Sequence, residues 1–282
     1  SRSAAHRRRC TESVDMTTQQ RLTVADLLTG KGKQQRTDVL VRTPDEAAAA
    51  AAAGIDLITV EGETFGPDFR SAAPQAFFVS GIAYGSAVTT DENLRAAFDL
   101  LNLGADAIYC VAGLHTLARL ADEGVPVISH VGLIPSKATW TGGLRAVGKT
   151  AESAMAVWQH VQSLEDAGVF GAEIEVVPAA IASEISRRTG MFMISMGAGS
   201  GCDAQYLFAE DILGSNRGHY PRHSKKYRDF AAEHDRLQEE RVAAFREFAA
   251  DVESLGFPQA EHLVSIADDE LQKFLTGLGP TG

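Results

Sequence analysis

The sequence predicts a single α/β domain with parallel strands, on three observations. Runs of helix formers alternate with short β-branched runs over most of the chain, a glycine follows nearly every helical run, and the length suffices for one complete core. Glycine after a helix supplies the left-handed cap conformation at little steric cost. Helix–strand alternation demands helical crossovers. A closed barrel and an open doubly wound sheet satisfy it equally.

The elements follow in order. Residues 38–41 read as the first strand. Thr43-Pro44 opens a helix over 45–53, with proline near its first turn; Gly54 stops it, and 55–60 is a buried strand. The segment from Gly66 to Pro74 holds two prolines and leaves room for a loop but hardly for a helix, so the second crossover is degenerate. The strand 77–80 follows. Helices at 91–103, 114–123, 150–167 and 179–189 are each closed by glycine (Gly104, Gly124, Gly168, Gly190) and lead to strands at 107–111, 125–129, 171–177 and 191–196. Residues 205–208 complete about eight strands. A long charged helix spans 224–254, either covering the domain or joining a partner subunit.

The net charge of −11 disfavours nucleic acid as a partner. No apolar run approaches the roughly 18 residues of a membrane span. Cys10, Cys110 and Cys202 are odd in number and lack zinc-type spacing, which points to a reduced, cytoplasmic chain. The start is rich in Arg and Ser and free of acids. Residues 1–20 read as a disordered leader, 21–270 as the α/β domain with C-terminal helices, and 271–282 as a flexible tail.

Longer motifs are more specific. They are Ser129-His130-Val131-Gly132-Leu133-Ile134-Pro135, Gly142-Gly143-Leu144-Arg145, Glu175-Val176-Val177-Pro178, the run from Gly197 to Gln205, and Asp211-Ile212-Leu213-Gly214. With Thr23-Val24-Ala25-Asp26-Leu27-Leu28 they make the chain resemble the ketopantoate hydroxymethyltransferase family from about Leu22 to Ile266. The resemblance implies a single (β/α)8 TIM-type barrel of the phosphoenolpyruvate mutase/isocitrate lyase-like kind. The isocitrate-lyase Lys-Lys-Cys-Gly-His loop is absent, so that activity is not expected. The resemblance also implies an aldol-type reaction on a small 2-oxo acid, with Mg2+ as Lewis acid, methylenetetrahydrofolate as one-carbon donor, and a homo-oligomer. A C–H beside a ketone is too weak an acid at neutral pH unless the developing oxyanion is stabilised.

Carried over residue by residue, the family's Gly-Asp-Ser motif becomes Gly62-Glu63-Thr64. Glu63 stands at a metal-ligand position and Thr64 at a contact to the substrate carboxylate. His130 and Glu175 match the active-site histidine and the general base. Other positions depart: Gly81 replaces the second metal-binding Asp, Val111 replaces an acid, and Tyr109 faces the substrate where the family has a lysine. Two acids are added. Glu61 and Glu173 lie two residues before Glu63 and Glu175, and strand alternation puts each pair on one face. The expected cavity therefore holds four glutamates, with Glu61 and Glu173 at substrate-binding positions. A buried carboxylate must be paired, metal-bound or protonated. The four rebuild a metal site, bind a cationic substrate group, act as acid and base, or simply pair with an interior Arg or Lys.

The remaining features have plainer readings. Cys110 reads as a small buried hydrophobe. The glycine run 197–201 lacks the lysine of a phosphate loop and shapes the site. His219 and His223 belong to a solvated or subunit-facing basic patch. The expected function is enolate chemistry next to a carbonyl. The alternatives are a diverged enzyme acting on another, cationic substrate, and a non-catalytic metabolite-binding barrel.

Overall fold

A computed structural model describes residues 21–279. The leader expected over 1–20 lies outside the described residues. The chain divides into two compact units, one ending at Arg228 and the other beginning at Asp229.

In the first unit eight strands close into one parallel barrel, each hydrogen-bonded to its sequence neighbour and the last to the first. They are β1 Arg36–Leu40, β2 Leu57–Glu61, β3 Phe77–Gly81, β4 Ala107–Tyr109, β5 Val127–Gly132, β6 Gly171–Glu175, β7 Phe192–Met196 and β8 Ala204–Phe208. The first-unit helices are α1 Val24–Gly30, α2 Pro44–Ala52, α3 Pro67–Ala72, α4 Thr90–Asn102, α5 Leu114–Asp122, α6 Ala138–Thr141, α7 Ala151–Asp166, α8 Ala179–Arg188 and α9 Ala209–Leu213. Three of them (α1, α4 and α7) open on a threonine capping box.

The two-residue strand period sorts side chains into two apolar sets. Leu57, Phe77, Ala107, Ile128, Phe192 and Ala204 fill the barrel interior, while Ile58, Phe78, Ile108 and Ile174 pack outward under the helices. Leu27 of α1 is fully buried in the interior set, so α1 is a plug rather than a crossover. Buried Asp203 fixes the chain around this plug. Its carboxylate accepts from Lys31 Nζ at 2.7 Å, from the Met193 amide at 2.8 Å and from the Gly32 amide at 3.1 Å.

Two crossovers differ from expectation. The second contains a six-residue helix, α3, where the prolines suggested a loop; Pro67 starts it, at a position whose amide needs no partner. Arg70 anchors this short piece by donating to the carbonyls of Ala76 and Gly104 and to Asp106 Oδ2, with its guanidinium 4.6 Å from the Phe78 ring centre. The crossover from β7 to β8 has no helix at all. It hugs α8 so closely that a Cβ on Gly199 would meet Ala179 Cβ at 2.5 Å. A Cβ on Gly201 would overlap Ser183. The glycine run is thus a packing device against α8.

The second unit holds α10 Phe230–Glu253 and α11 Asp268–Gly277. The helix α11 runs through residues expected to be a flexible tail. Three acids in its first turn and the pairs of Lys273 with Asp269 and Glu270 favour that helix. None of the described helices is long and apolar enough to cross a membrane.

If α1 is a plug, Leu27→Ala destabilises the protein by about 2–5 kcal/mol. Chemical denaturation of the variant measures this, and a loss under about 1 kcal/mol would contradict the plug.

Candidate active site

A cavity of about 990 Å3 opens over the barrel interior at the ends of the strands. Its floor is polar because interior positions that are apolar in the layer below become Asp38, Thr59, Tyr109, His130, Glu173 and Tyr206. This is the end of a parallel barrel at which strand termini and loops supply chemistry.

The centre is His130, only 4% exposed. Its Nδ1 shares a 2.5 Å hydrogen bond with the Tyr109 hydroxyl and lies 3.8 Å from Glu173 Oε2. Its Nε2 lies 3.2 Å from Glu175 Oε2, an ion-pair separation, yet the approach is not that of a hydrogen bond, and Nε2 has no hydrogen-bond partner among the described residues. Backbone pairing enforces the cluster. In the β5–β6 register His130 faces Glu173, and Gly132 faces Glu175. Gly132 has φ +84°, and a Cβ there would meet the Glu175 carbonyl oxygen at 2.5 Å. The Leu133 amide donates to that same oxygen at 2.9 Å. Glycine in the His-Val-Gly-Leu motif therefore lets the chain after His130 lie directly on Glu175. Val176 follows at φ +49°, a strained conformation for a β-branched residue, next to the carboxylate it helps to aim.

Burial dominates the electrostatics. It raises the pKa of Glu173, with the charge of Glu175 adding to it and His130 and the Tyr109 hydrogen bond opposing it. Burial would lower the pKa of His130, but the charges of Glu173 and Glu175 outweigh it and raise it. The Tyr109 hydroxyl is pushed far up by burial and by the charge of Glu173, so it is a neutral donor. Across the floor Asp38 is raised to about 8 by burial, although Thr59 Oγ1 donates to it at 2.9 Å. Tyr206 is raised by burial and by Asp38.

The four glutamates do not converge. Glu173 and Glu175 meet at His130, whereas Glu61 and Glu63 are exposed at the cavity wall. Arg42 Nη1 pairs with Glu61 Oε1 at 3.0 Å, and Arg42 Nε with Glu210 Oε2 at the same distance. For Glu61 the plain reading, pairing with an arginine, is the one the geometry realises. Thr64 lies apart from the others. Its hydroxyl donates to the Glu61 carbonyl, and it is not among the cavity-lining residues. Strand β2 ends at Glu61 and the chain turns, with the Thr64 and Phe65 amides both donating to the Glu61 carbonyl. Strand alternation therefore stops applying before Glu63. Tyr109, Gly81 and Val111 line the cavity as expected.

The inherited magnesium positions do not suit magnesium. Gly81 and Val111 offer no carboxylate, and Glu63 stands alone in an exposed turn. Donor atoms of His130, Glu173 and Glu175 lie within 4.8 Å of one another.

Three cavity residues escaped the sequence reading. Asp38 and Tyr206 occupy interior positions of β1 and β8, and an acid two residues before Leu40 in a strand was the available signal. Lys137 follows the motif proline and is the only lysine or arginine among the cavity-lining residues. Cys110 is buried, 3.6 Å from Asn93 Oδ1, with burial raising its thiol. Cys202 is pushed up to about 12 by burial and Asp203. Neither is an activated nucleophile. Cys10 lies outside the described residues. His223 packs on Gly197 and reaches the cavity, so it is not merely a surface residue.

A carboxyl at about 8 when folded and near 4 when unfolded holds its proton only in the folded state between those values. Its contribution to stability therefore falls as pH rises from about 4 to 8. The isosteric Asp38→Asn removes that loss and keeps an acceptor for Thr59. Thermal melts should show the variant stabilised at pH 7–8, with the gain shrinking towards pH 4–5; a gain independent of pH would refute the buried neutral acid.

Residues 68–260 match the sequence profile of the ketopantoate hydroxymethyltransferase family. The chain is similar to 3-methyl-2-oxobutanoate hydroxymethyltransferase 1 of Methylibium petroleiphilum, 34% identical over 210 residues, covering 73% of this chain and 69% of that protein. It is 32% identical to the Deinococcus radiodurans 3-methyl-2-oxobutanoate hydroxymethyltransferase, covering 80% and 87%. Among solved structures, one from Burkholderia cenocepacia described as a phosphonomutase superposes with TM-score 0.54 at 11% identity, covering 67% of this chain and 93% of that one. A second from the same organism, described as a lyase/mutase, gives 0.51 at 10% identity over 89% and 95%. These two show the fold alone. On the profile match and the identities, this chain belongs to the ketopantoate hydroxymethyltransferase family.

Proposed function

We propose that this enzyme removes a proton from C3 of a small 2-oxo acid, such as ketoisovalerate, and adds the resulting enolate to a one-carbon unit, using side chains where the family uses magnesium. The observation that carries the reading is His130 held between Glu173 and Glu175 with Tyr109 on its other face, at the floor of an open cavity. Such a cluster combines a base with donors for an oxyanion.

Glu175 is the base. It reaches the cavity, and its backbone is clamped by Leu133 and Val176, so its carboxylate meets C3 with little freedom to lose. His130 Nε2–H donates to the carbonyl oxygen as it becomes an enolate, with Tyr109 holding the other ring nitrogen; the imidazole is buried, where such a hydrogen bond is strong. Glu173 balances the imidazolium charge. Lys137 supplies the positive charge that the replacement of lysine by Tyr109 removed, and it takes the substrate carboxylate. Its side chain makes no ion pair or hydrogen bond among the described residues, and only its backbone amide is engaged, with the Ile134 carbonyl.

The cavity has room beyond a five-carbon acid for a second substrate. Exposed Tyr84 at its mouth offers an aromatic face to a pteridine such as methylenetetrahydrofolate. The open cavity and the single arginine-paired glutamate speak against a plugged, non-catalytic barrel. A cytoplasmic setting suits the two buried free thiols, and a homo-oligomer suits the apolar side chains that α10 exposes, Phe245 and Phe248 among them.

The test is C3 proton exchange of ketoisovalerate in heavy water with EDTA-treated enzyme, followed by NMR. Exchange proceeds in the wild type, and Glu175→Gln slows it by about 10²–10⁴-fold. Silence of the wild type, or a Glu175→Gln variant as fast as wild type, sinks the reading. Lys137→Met raises KM for the 2-oxo acid roughly tenfold or more while kcat changes little; an unchanged KM would remove Lys137 from substrate binding.

A further inference from the structure

We infer that His130 Nε2, Glu173 and Glu175 form a binding site for one transition-metal ion of the zinc type, on β5 and β6 and so away from the inherited magnesium positions at Glu63, Gly81 and Val111. The inference goes beyond the proposed reaction, because an ion held there occupies the base.

Four observations carry it. Nε2 of a nearly fully buried imidazole has no hydrogen-bond partner, although a carboxylate oxygen lies 3.2 Å away. A polar atom in that state is costly unless something fills the gap. Second, the 3.2 Å separation is close to the roughly 3.4 Å between two ligands on one tetrahedral zinc. Glu173 completes the group: one donor atom each from His130, Glu173 and Glu175 lie within 4.8 Å of one another, and because Glu173 Oε2 lies 3.8 Å from Nδ1, a side-chain rotation has to bring its carboxylate round to the Nε2 side.

Third, the opposite ring nitrogen is already held. Nδ1–H donating to the Tyr109 oxygen leaves the Nε2 lone pair free, and the Tyr109 hydroxyl then donates to Glu173. Ligating histidines are oriented in this way by a partner on their second nitrogen. Fourth, a histidine that ligates a metal is neutral, and two carboxylates then share the floor with no lysine or arginine beside them. Arg42 is committed to Glu61 and Glu210, and Lys137 sits exposed at the end of a short 3-10 helix. A cation stabilises this pair.

The donor set selects the ion. One imidazole and two carboxylates with an open side towards the cavity match three-ligand zinc centres, whereas magnesium prefers oxygen ligands and keeps its waters. A zinc ion coordinated by Glu175 withdraws its lone pair from the substrate, so zinc is expected to inhibit the proposed reaction.

The experiment titrates the EDTA-treated full-length protein with Zn2+ by calorimetry and with Co2+ by visible absorption, with no substrate present. One equivalent binds. Binding is lost in His130→Gln and Glu173→Gln, weakens about 10–100-fold in Tyr109→Phe, and is unchanged in Glu63→Gln. Tyr109→Phe and Glu63→Gln keep the inference testable if the buried variants fail to fold. Loss of binding in Glu63→Gln, retention in His130→Gln, an unchanged affinity in Tyr109→Phe, or no binding by the wild type would each overturn it. Proton exchange by the metal-free enzyme is read separately, so a failure of the proposed reaction is distinguishable from a failure of the metal site.

Discussion

Two carboxylates and an imidazole share the dry floor of a closed barrel, and much of the active end is organised around that constraint. An ionised carboxylate in such a place needs a compensating charge or its proton. Glu173 and Glu175 meet the requirement through His130, and Asp38 meets it by keeping its proton. The floor is thus a set of coupled acids whose charge states depend on one another. The proposed reaction draws its base and its donor from this set.

The backbone holds the set together. The β5–β6 register brings His130 beside Glu173, and Gly132 at positive φ brings the chain down onto the Glu175 carbonyl. No larger residue fits, because a Cβ would enter that oxygen's space. The strained Val176 sits next to it. Part of what the motifs specify is therefore steric. Asp203 and the glycines of the 197–201 run serve packing and α1 anchoring.

Charge is unevenly distributed around the cavity. Gly81, Tyr109 and Val111 line it without bringing any charge, whereas Glu173 and Glu175 concentrate charge beside His130. Tyr109 reaches across to His130 with a neutral hydroxyl.

The sequence by itself determined the alternation, the parallel crossovers, the glycine caps and, through its motifs, the family barrel, because these depend on local period and short-range sterics. The resemblance also pointed to His130, Glu175 and Tyr109 at the cavity, and strand alternation added Glu173, since alternation is reliable within a strand. Only the tertiary structure decided the rest. Alternation fails where a strand ends, so Glu63 and Thr64 left the floor when the chain turned at Glu61. Arg42 and Glu210 lie far apart in sequence, and closure of β1 against β2 and β8 was needed to show Glu61 paired with a charge it could not announce. Asp38 carried a local signal, an acid inside a strand, but its place beside Tyr206 was set by the closure of β1 on β8, which no local pattern records.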